Sequence, residues 1–391
     1  METLNDLHLS GLPKIFFGAG AVLRLPAIAR SYGRQALVLI GGQSLAASGR
    51  WQAIAAGLAG AGLSYRVFSI RSEPTAALID GITAELGRTP VDVVAAVGGG
   101  SVIDCGKAVS AMLAQEGSVK DYLEGVGTKK PAGTKVPFIA VPTTAGTGSE
   151  ATTNAVVCDR SAGYKKSLRH DAYLPDVALV DPELTLGTPE PVTLACGLDA
   201  VAQLVESFTS TKAEAALDAP ALKALCFAAE SLPPLALGQS DTVALRGKMS
   251  YAALVSGIML SRAGLGAVHG LAGPLGGLCP VPHGLACGRL LFPVMTFVVK
   301  KVIDENNGPA IRRFAAIGNA FAGLGGGDDL SGCRRFLEAL GRWTRSFRLP
   351  PLSQFGMTAE VMAKAVLLAD NKNSPARLSP AEMKVVLETV R

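Results

Sequence analysis

The chain has 391 residues, of which 49% are hydrophobic and 18% charged, and its formal net charge is +5. A chain of this length and composition can bury two or three sizeable cores, which excludes an intrinsically disordered protein. Its lysines and arginines are scattered rather than clustered, so we expect no nucleic-acid partner.

The cysteine pattern and the absence of targeting signals predict a cytoplasmic protein. The seven cysteines are dispersed and form no C-x-x-C pair, which is typical of reduced thiols. The start of the sequence has no basic segment followed by an apolar run, so we expect no signal peptide. No uninterrupted apolar stretch of about 18 residues is present, and we expect no membrane association.

The first half of the chain alternates between strand-like and helix-like segments. Apolar runs predict strands at 35–42, 64–70, 91–101 and 136–144, and the third ends in a Gly-rich turn. Helical periodicity is found between them at 51–63, 75–86 and 102–113. This alternation predicts a parallel α/β sheet of the dinucleotide-binding type.

Helical periodicity dominates from about residue 186 onward. We therefore predict an α/β nucleotide-binding domain at 1–185, followed by an all-α domain at 186–391. The segment YLPDVALVDPELT at 173–185 is predicted to be the hinge between them.

Two loops of the first domain have the composition of a phosphate-binding site. VGGGSVIDCGK (97–107) places glycines between a strand and a helix, where the free N–H groups of the helix start attract a pyrophosphate. It lacks the G-x-G-x-x-G spacing, so a simple strand-to-helix turn is an equal alternative. PTTAGTGSE (142–150) adds hydroxyls and accessible backbone after a buried strand, where α/β sheets bind ligands.

A carboxylate and two imidazoles in the second domain suggest a metal site. Asp199 and Gln203 lie four residues apart in GLDAVAQLVES, so a helix would present both on one face. His269 and His283 lie fourteen residues apart in a Gly-rich segment. A lone histidine in apolar surroundings is more often a core residue, but this combination suits zinc or ferrous iron.

Several motifs together resemble the iron-containing (group III) alcohol dehydrogenase family. The resemblance follows the chain in order over nearly its whole length and includes GGGSVIDCGKA, PTTAGTGSE, LPDVALVDPELT, GLDAVAQLVES and VHGLAGPLG…PHG. It implies a dehydroquinate synthase-like fold, a cleft between the two domains for NAD(P) and one divalent metal, and a homo-oligomer, a dimer or larger.

The resemblance also implies roles for individual residues. Those matching the pyrophosphate-binding turn are Gly99, Gly100, Ser101 and Asp104, and those matching the loop near the nicotinamide are Thr143, Thr144 and Thr147. Lys165 matches a lysine that reaches the cofactor ribose. Asp199, His269 and His283 match three of four metal ligands and form the predicted catalytic set.

The chain departs from the family pattern at two positions near the metal. Gln203 stands where the family usually has a histidine as fourth ligand, and Gly273 stands where it often has another histidine. Gln203 can offer a carbonyl oxygen, although it is a weaker ligand than imidazole. The retained Asp199 argues against the metal-independent maleylacetate reductases, which tend to lose it.

The loop after the first predicted strand favours NADP over NAD. Many NAD-dependent members carry an aspartate there, which holds the ribose 2′-hydroxyl and repels a 2′-phosphate. This chain has Gly42 at that position, and Gly41, Gly42 and Ser44 resemble the arrangement of NADP-preferring relatives. A plain glycine turn without preference is the alternative, and NAD is not excluded.

We therefore predict an oxidoreductase that transfers a hydride between NAD(P)(H) and a small alcohol or aldehyde (or ketone). Three alternatives remain open at this point. They are a metal-independent reductase of the same fold, a lyase or phosphate-specific dehydrogenase of the wider superfamily, and a non-catalytic nucleotide-binding protein.

Overall fold

The computed structural model describes residues 11–42, 44–159 and 162–391. They form two compact units. We call the residues up to Thr144 together with Gly148–Leu186 the α/β unit, and Ala145–Thr147 together with Gly187–Arg391 the helical unit.

The α/β unit is built on a six-stranded parallel sheet. Its strands are β1 (Lys14–Phe17), β2 (Gln35–Gly41), β3 (Ser64–Ile70), β4 (Val93–Gly98), β5 (Phe138–Pro142) and β8 (Val177–Val180), in the order β1-β8-β5-β4-β2-β3. Every pair in this sheet is parallel. An antiparallel hairpin of β6 (Asn154–Asp159) and β7 (Tyr164–Arg169) forms a second sheet.

Helices cover both faces of the sheet because its central strands are apolar on both sides. The helices are α1 (Leu25–Tyr32), α2 (Ser44–Ala47), α3 (Arg50–Gly60), α4 (Ala76–Leu86) and α5 (Gly100–Met112). Leu37 and Leu39 of β2 join one apolar cluster with α4 and α5, whereas Val38 and Ile40 join the other with α1 and α3. Such continuous apolar strands are typical of parallel sheets.

The predicted parallel α/β architecture is confirmed, with one correction. Segment 173–185, predicted as a hinge, contains β8, which pairs with β1 and β5 inside the sheet. All four residues of β8 are buried. The flanking Asp and Pro residues concealed a strand of only four residues, which is too short to show a period of its own.

Residues 187–391, all of which are described, contain nine α-helices, two short 3-10 helices and no strand. The α-helices are α6 (Glu190–Phe208), α7 (Asp218–Ala236), α8 (Val243–Ala263), α9 (Ala267–Leu278), α10 (His283–Asp304), α11 (Gly308–Phe321), α12 (Asp329–Ser346), α13 (Ala359–Leu368) and α14 (Pro380–Val390). This confirms the predicted all-α second region.

Helices α9 and α10 were not predicted, although they carry both histidines of the proposed metal site. Glycines interrupt their sequence pattern, and tertiary packing requires some of them. A Cβ at Gly270 would lie 1.8 Å from the backbone oxygen of Asp370. Close packing therefore overrides the low helix propensity of this segment.

No single helix among the described residues is long and apolar enough to cross a membrane. Helices α8 and α9 satisfy the length and composition requirement only together, and they are bent by 99° at the break between them.

Candidate functional sites

The two predicted cofactor loops lie side by side at the carboxyl edge of the sheet. They follow the neighbouring strands β4 and β5, where Gly98 is in register with Pro142. The Thr143 N–H donates to the Gly98 carbonyl at 2.9 Å, and a Cβ at Gly99 would lie 3.3 Å from Thr144 Oγ1. Gly41 ends the adjacent strand β2. A Cβ at Gly41 would lie 3.9 Å from the Gly98 Cα, which is ordinary van der Waals contact.

Helix α5 begins directly after the Gly-rich turn and leaves its first N–H groups without a side-chain cap. Gly99 is the N-cap, and Gly100 and Ser101 form the start of the first turn. A Cβ at Gly98 would lie 2.4 Å from Val102 Cγ2, so only glycine allows the strand to turn into the helix so abruptly. Uncapped N–H groups at the start of a helix favour an anionic ligand.

Asp104 lies within α5 and holds the second cofactor loop and strand β6 by hydrogen bonds. Its Oδ1 accepts a hydrogen bond from Ser149 Oγ, and its Oδ2 accepts the Val156 N–H at 3.2 Å. Burial raises the pKa of this carboxyl, although nearby Lys107 and Lys165 act in the opposite direction. The structure therefore gives Asp104 a role in positioning the loop, a role that the sequence analysis did not foresee.

Lys107 is a second functional candidate that the sequence analysis missed. It is 1% exposed, and its Nζ donates to Ser149 O at 2.9 Å, Thr152 Oγ1 at 3.0 Å and Asn154 O at 2.7 Å. Burial lowers its pKa to about 8, although the Asp104 and Glu150 carboxylates partly oppose that shift. The signal in the sequence was a lysine three residues after Asp104, one turn along the buried face of α5.

Lys165 and Thr147 are carried by elements other than the Gly-rich turn, although Lys165 is close enough to Asp104 to act on its pKa. Lys165 lies on β7 and forms an ion pair with Glu73, at 11% side-chain exposure. Thr147 belongs to the helical unit, together with Ala145 and Gly146. Gly146 packs against α6, where a Cβ would lie 2.6 Å from the Cys196 Cβ.

The loop after β2 places an arginine beside the predicted cofactor-selecting glycine. A Cβ built on Gly42 would lie 3.7 Å from Arg71 Cγ, and Arg71 directly follows β3. Ser44 is the first residue of α2; its side chain and Gln43 lie outside the described features. The structure thus brings the stem of an arginine side chain to a position where the sequence analysis noted only the missing carboxylate.

Four potential metal ligands converge in the helical unit. Asp199 comes from α6, His269 from α9, and His283 and Cys287 from α10. One ligand atom from each lies within 4.8 Å of the ligand atoms of all the others. Asp199 Oδ1 is 3.2 Å from His269 Nε2 and 3.7 Å from His283 Nε2. The structure therefore brings together the predicted catalytic set and adds Cys287.

Two glycines of α10 allow this helix to approach α6 closely. A Cβ at Gly284 would lie 2.1 Å from the Ala195 backbone oxygen, and one at Gly288 would lie 2.4 Å from Leu198 Cδ1. These glycines directly follow His283 and Cys287 along the helix. Their missing side chains therefore set the distance between Asp199 and the two ligands on α10.

Neighbouring groups determine the charge of the cluster. Burial opposes ionisation of Asp199, but the rings of His283 and His269 hold its pKa below its usual value. Burial likewise opposes charging of His269, yet Cys287, Asp199 and Glu206 keep its pKa well above its usual value. Burial raises the pKa of the Cys287 thiol to about 11.

The two positions that depart from the family pattern have different surroundings. Gln203 is 4% exposed, and its Oε1 accepts a hydrogen bond from Ser256 Oγ at 2.8 Å. Gly273 has no atom within 4 Å of the position a Cβ would take. Gln203 is therefore integrated into the packing between α6 and α8, whereas position 273 offers open space.

Comparison with family models identifies two consecutive matches. The iron-containing alcohol dehydrogenase model matches residues 13–182. The model for the C-terminal region of the Fe-containing alcohol dehydrogenase family matches residues 193–390.

Individual relatives and solved structures agree with these matches. The chain is 36% identical to the probable alcohol dehydrogenase EutG of Escherichia coli (strain K12) over 248 residues, which cover 63% of this chain and 60% of that protein. It is 28% identical to the NAD-dependent methanol dehydrogenase of Bacillus methanolicus over 340 residues, 86% of each chain. The crystal structure of a 1,3-propanediol oxidoreductase matches with a TM-score of 0.84 and 27% identity, covering 97% of this chain and 98% of that one.

Proposed function

The chain belongs to the iron-containing alcohol dehydrogenase family, and we propose that it is an NAD(P)-dependent oxidoreductase interconverting a small alcohol and its aldehyde or ketone. The observation that carries this proposal is the convergence of Asp199, His269 and His283 in the helical unit. Nitrogen and carboxylate oxygen donors at these separations fit a divalent ion of the zinc or ferrous type. When bound, such an ion supplies Lewis-acid polarisation of the substrate oxygen.

The protein's own residues hold and orient the reacting groups. Glu206 accepts a hydrogen bond from His269 Nδ1 at 2.6 Å, so that Nε2 presents its lone pair to a metal ion once the ring has released its second proton. Gly273 has no side chain that could move a proton. We propose that the alcohol proton leaves through water or a cofactor hydroxyl.

We propose that the cofactor binds at the carboxyl edge of the sheet. Uncapped N–H groups at the start of α5 favour the pyrophosphate, and the backbone of Thr143 and the hydroxyl of Thr144 adjoin that turn. Lys107 stabilises the loop after β5 by donating hydrogen bonds to Ser149 and Thr152. The nicotinamide supplies the hydride chemistry.

We further propose that NADP(H) is preferred to NAD(H). Gly42 presents no carboxylate against a 2′-phosphate, and Arg71 lies beside it. A guanidinium near this position accommodates a 2′-phosphate in dinucleotide-binding folds. A cytoplasmic location and a homo-oligomeric assembly remain predictions from the sequence.

The test combines metal analysis with turnover. The protein is purified anaerobically with iron and, separately, with zinc, and the oxidation of NADPH is followed with a panel of short aldehydes before and after chelation. We expect about one metal per chain and activity that is lost on chelation and restored by the ion.

Two outcomes would contradict parts of this proposal. Undiminished activity in metal-free protein would favour a metal-independent reductase of the same fold. Tight NADPH binding without turnover of any carbonyl compound would favour a non-catalytic nucleotide-binding protein.

A further inference from the structure

Cys287 occupies the position of a metal ligand. It lies one turn after His283 on α10 and is fully buried. Its Sγ is 3.6 Å from His269 Nε2 and 3.7 Å from His283 Nε2. A buried thiol aimed at two imidazoles and a carboxylate lies among ligand atoms rather than among apolar side chains.

Three separations between donor atoms match those of a tetrahedral zinc site. Zn–N and Zn–O bonds of about 2.0–2.1 Å and a Zn–S bond of about 2.3 Å place donors about 3.3 Å apart for N and O and about 3.6 Å apart for N and S. The Asp199–His269 separation is 3.2 Å, and the sulfur–nitrogen separations are 3.6 and 3.7 Å. The Asp199–His283 separation of 3.7 Å is about 0.4 Å longer than the tetrahedral value. The cluster therefore fits one ion with only small adjustments.

Gln203, the ligand predicted from the family pattern, is engaged elsewhere. Its Oε1 accepts the hydrogen bond from Ser256 Oγ at 2.8 Å at a buried position, so one of its two lone pairs is already in use. A carboxamide oxygen is also a weak donor for zinc or iron, whereas a thiolate is among the strongest.

We propose that Cys287, rather than Gln203, is the fourth protein ligand, so that the chain carries an Asp-His-His-Cys centre that favours zinc over harder divalent ions. On binding, the thiol loses its proton to solvent and the sulfur donates an electron pair to the ion. Four protein ligands still allow expansion to five-coordinate geometry for a substrate oxygen. This inference rests on the proposed function, because it concerns the metal of the same site.

The experiment titrates metal-free protein with Co²⁺ under anaerobic conditions, without cofactor or substrate. Sulfur ligation produces an intense near-ultraviolet charge-transfer band, which nitrogen and oxygen ligands do not give. We compare the wild type with Cys287→Ser, Gln203→Ala and the control Cys279→Ser. Cys279 is a buried cysteine just before α10 whose Sγ contacts the Leu275 carbonyl.

We expect the band in the wild type, Gln203→Ala and Cys279→Ser, and its loss in Cys287→Ser. Competition with a chromophoric chelator should show zinc affinity at least tenfold weaker in Cys287→Ser, with a smaller ratio of Zn²⁺ to Mn²⁺ affinity. A wild type without the band, or a Cys287→Ser variant that retains it, would overturn the proposal.

A second measurement uses the wild type alone, in case Cys287→Ser does not fold. X-ray absorption fine structure is recorded at the zinc edge of the zinc-loaded wild type, which requires no access to the buried thiol. We expect a sulfur neighbour at about 2.3 Å beside the nitrogen and oxygen neighbours at about 2.0–2.1 Å; a spectrum that needs only nitrogen and oxygen neighbours would contradict the assignment.

Activity separates this inference from the proposed function. A charge-transfer band without turnover of any carbonyl compound would support Cys287 as a ligand and contradict the proposed function. Metal-dependent turnover without the band would support the proposed function and contradict Cys287 as a ligand.

Discussion

Glu206 accepts hydrogen bonds from both the ring and the backbone of His269, and a third from the preceding residue. Its Oε2 is 2.6 Å from His269 Nδ1 and accepts the His269 backbone N–H at 3.3 Å, while Oε1 accepts the Val268 N–H at 2.6 Å. One carboxylate therefore binds the first N–H groups of α9 and fixes the orientation of the imidazole. A carboxylate in this position also increases the basicity of the coordinating nitrogen.

We expect Glu206→Gln to weaken metal binding by about 10- to 100-fold, because the amide orients the ring less firmly and polarises it less. Zinc affinity is measured by chelator competition. The control is Glu214→Gln, which removes a partly exposed carboxylate paired with Arg262 in the same unit. Equal affinities for Glu206→Gln and the wild type would show that the contact does not support metal binding.

Gly284→Ala should separate α10 from α6. The added methyl would lie 2.1 Å from a backbone oxygen that cannot rotate away, so the helices must shift. We expect a loss of about 1–3 kcal/mol in the free energy of unfolding and at least tenfold weaker zinc binding. Denaturant titration and chelator competition measure the two effects.

Gly273→Ala is the matched control, since nothing lies within 4 Å of its added methyl. It makes the same chemical change in the neighbouring helix and should leave zinc affinity unaltered. If Gly284→Ala behaved like this control, the close approach of α10 to α6 would not limit the site.

Arg71→Ala should raise the KM for NADPH at least fivefold and leave the KM for NADH nearly unchanged. The reason is that the Arg71 side chain passes beside Gly42, and in our proposal its guanidinium pairs with the 2′-phosphate that NADH lacks. The control is Arg66→Ala, which removes the same charge from an exposed position on β3, the strand that leads to Arg71. Similar changes for both cofactors would contradict a role for Arg71 in selecting the phosphate.

Gly42→Asp should reverse the cofactor preference. Gly42 does not have a positive φ, and its Cβ would be in ordinary contact with Arg71, so the backbone accepts a side chain. The new carboxylate would repel the 2′-phosphate and pair with Arg71. We expect kcat/KM for NADPH to fall at least tenfold relative to NADH; an unchanged ratio would place the cofactor elsewhere.

Lys107 makes the free energy of unfolding change with pH in the alkaline range. Burial lowers its folded pKa to about 8 from 10.5, so between these values the unfolded chain binds a proton that the folded chain has released. The free energy of unfolding contributed by this group therefore rises with pH, by at most about 1.4 kcal/mol per unit. Below pH 8 the lysine is charged in both states and contributes no slope.

Lys107→Met isolates this effect from the other titrating groups. We expect the unfolding free energy of the wild type minus that of the variant to increase between pH 8 and 10, measured by denaturant titration at each pH. Loss of Lys107 also removes a charge that lowers the Glu150 pKa, which acts in the same direction. If the unfolding free energies of the wild type and the variant changed in parallel with pH, the pKa of Lys107 would not be lowered by folding.

Local patterns were sufficient to predict the architecture. The apolar runs at β2, β3, β4 and β5 are bounded by glycines or polar residues, and they alternate with helical periods, so the parallel sheet follows from the chain itself. The short strand β8 and the Gly-rich helices α9 and α10 were missed. Their formation depends on burial and close packing rather than on a local period.

The sequence by itself determined the fold class and the family and predicted three residues of the proposed metal site, Asp199, His269 and His283, because residue type and spacing along the chain carry that information. Only the tertiary structure brings a fourth candidate, Cys287, to them. The sulfur of Cys287 meets two imidazoles only because Gly284 lets α10 pack against α6, while Ser256 engages Gln203. Distances between residues remote in sequence depend on how helices pack, and no local pattern encodes them.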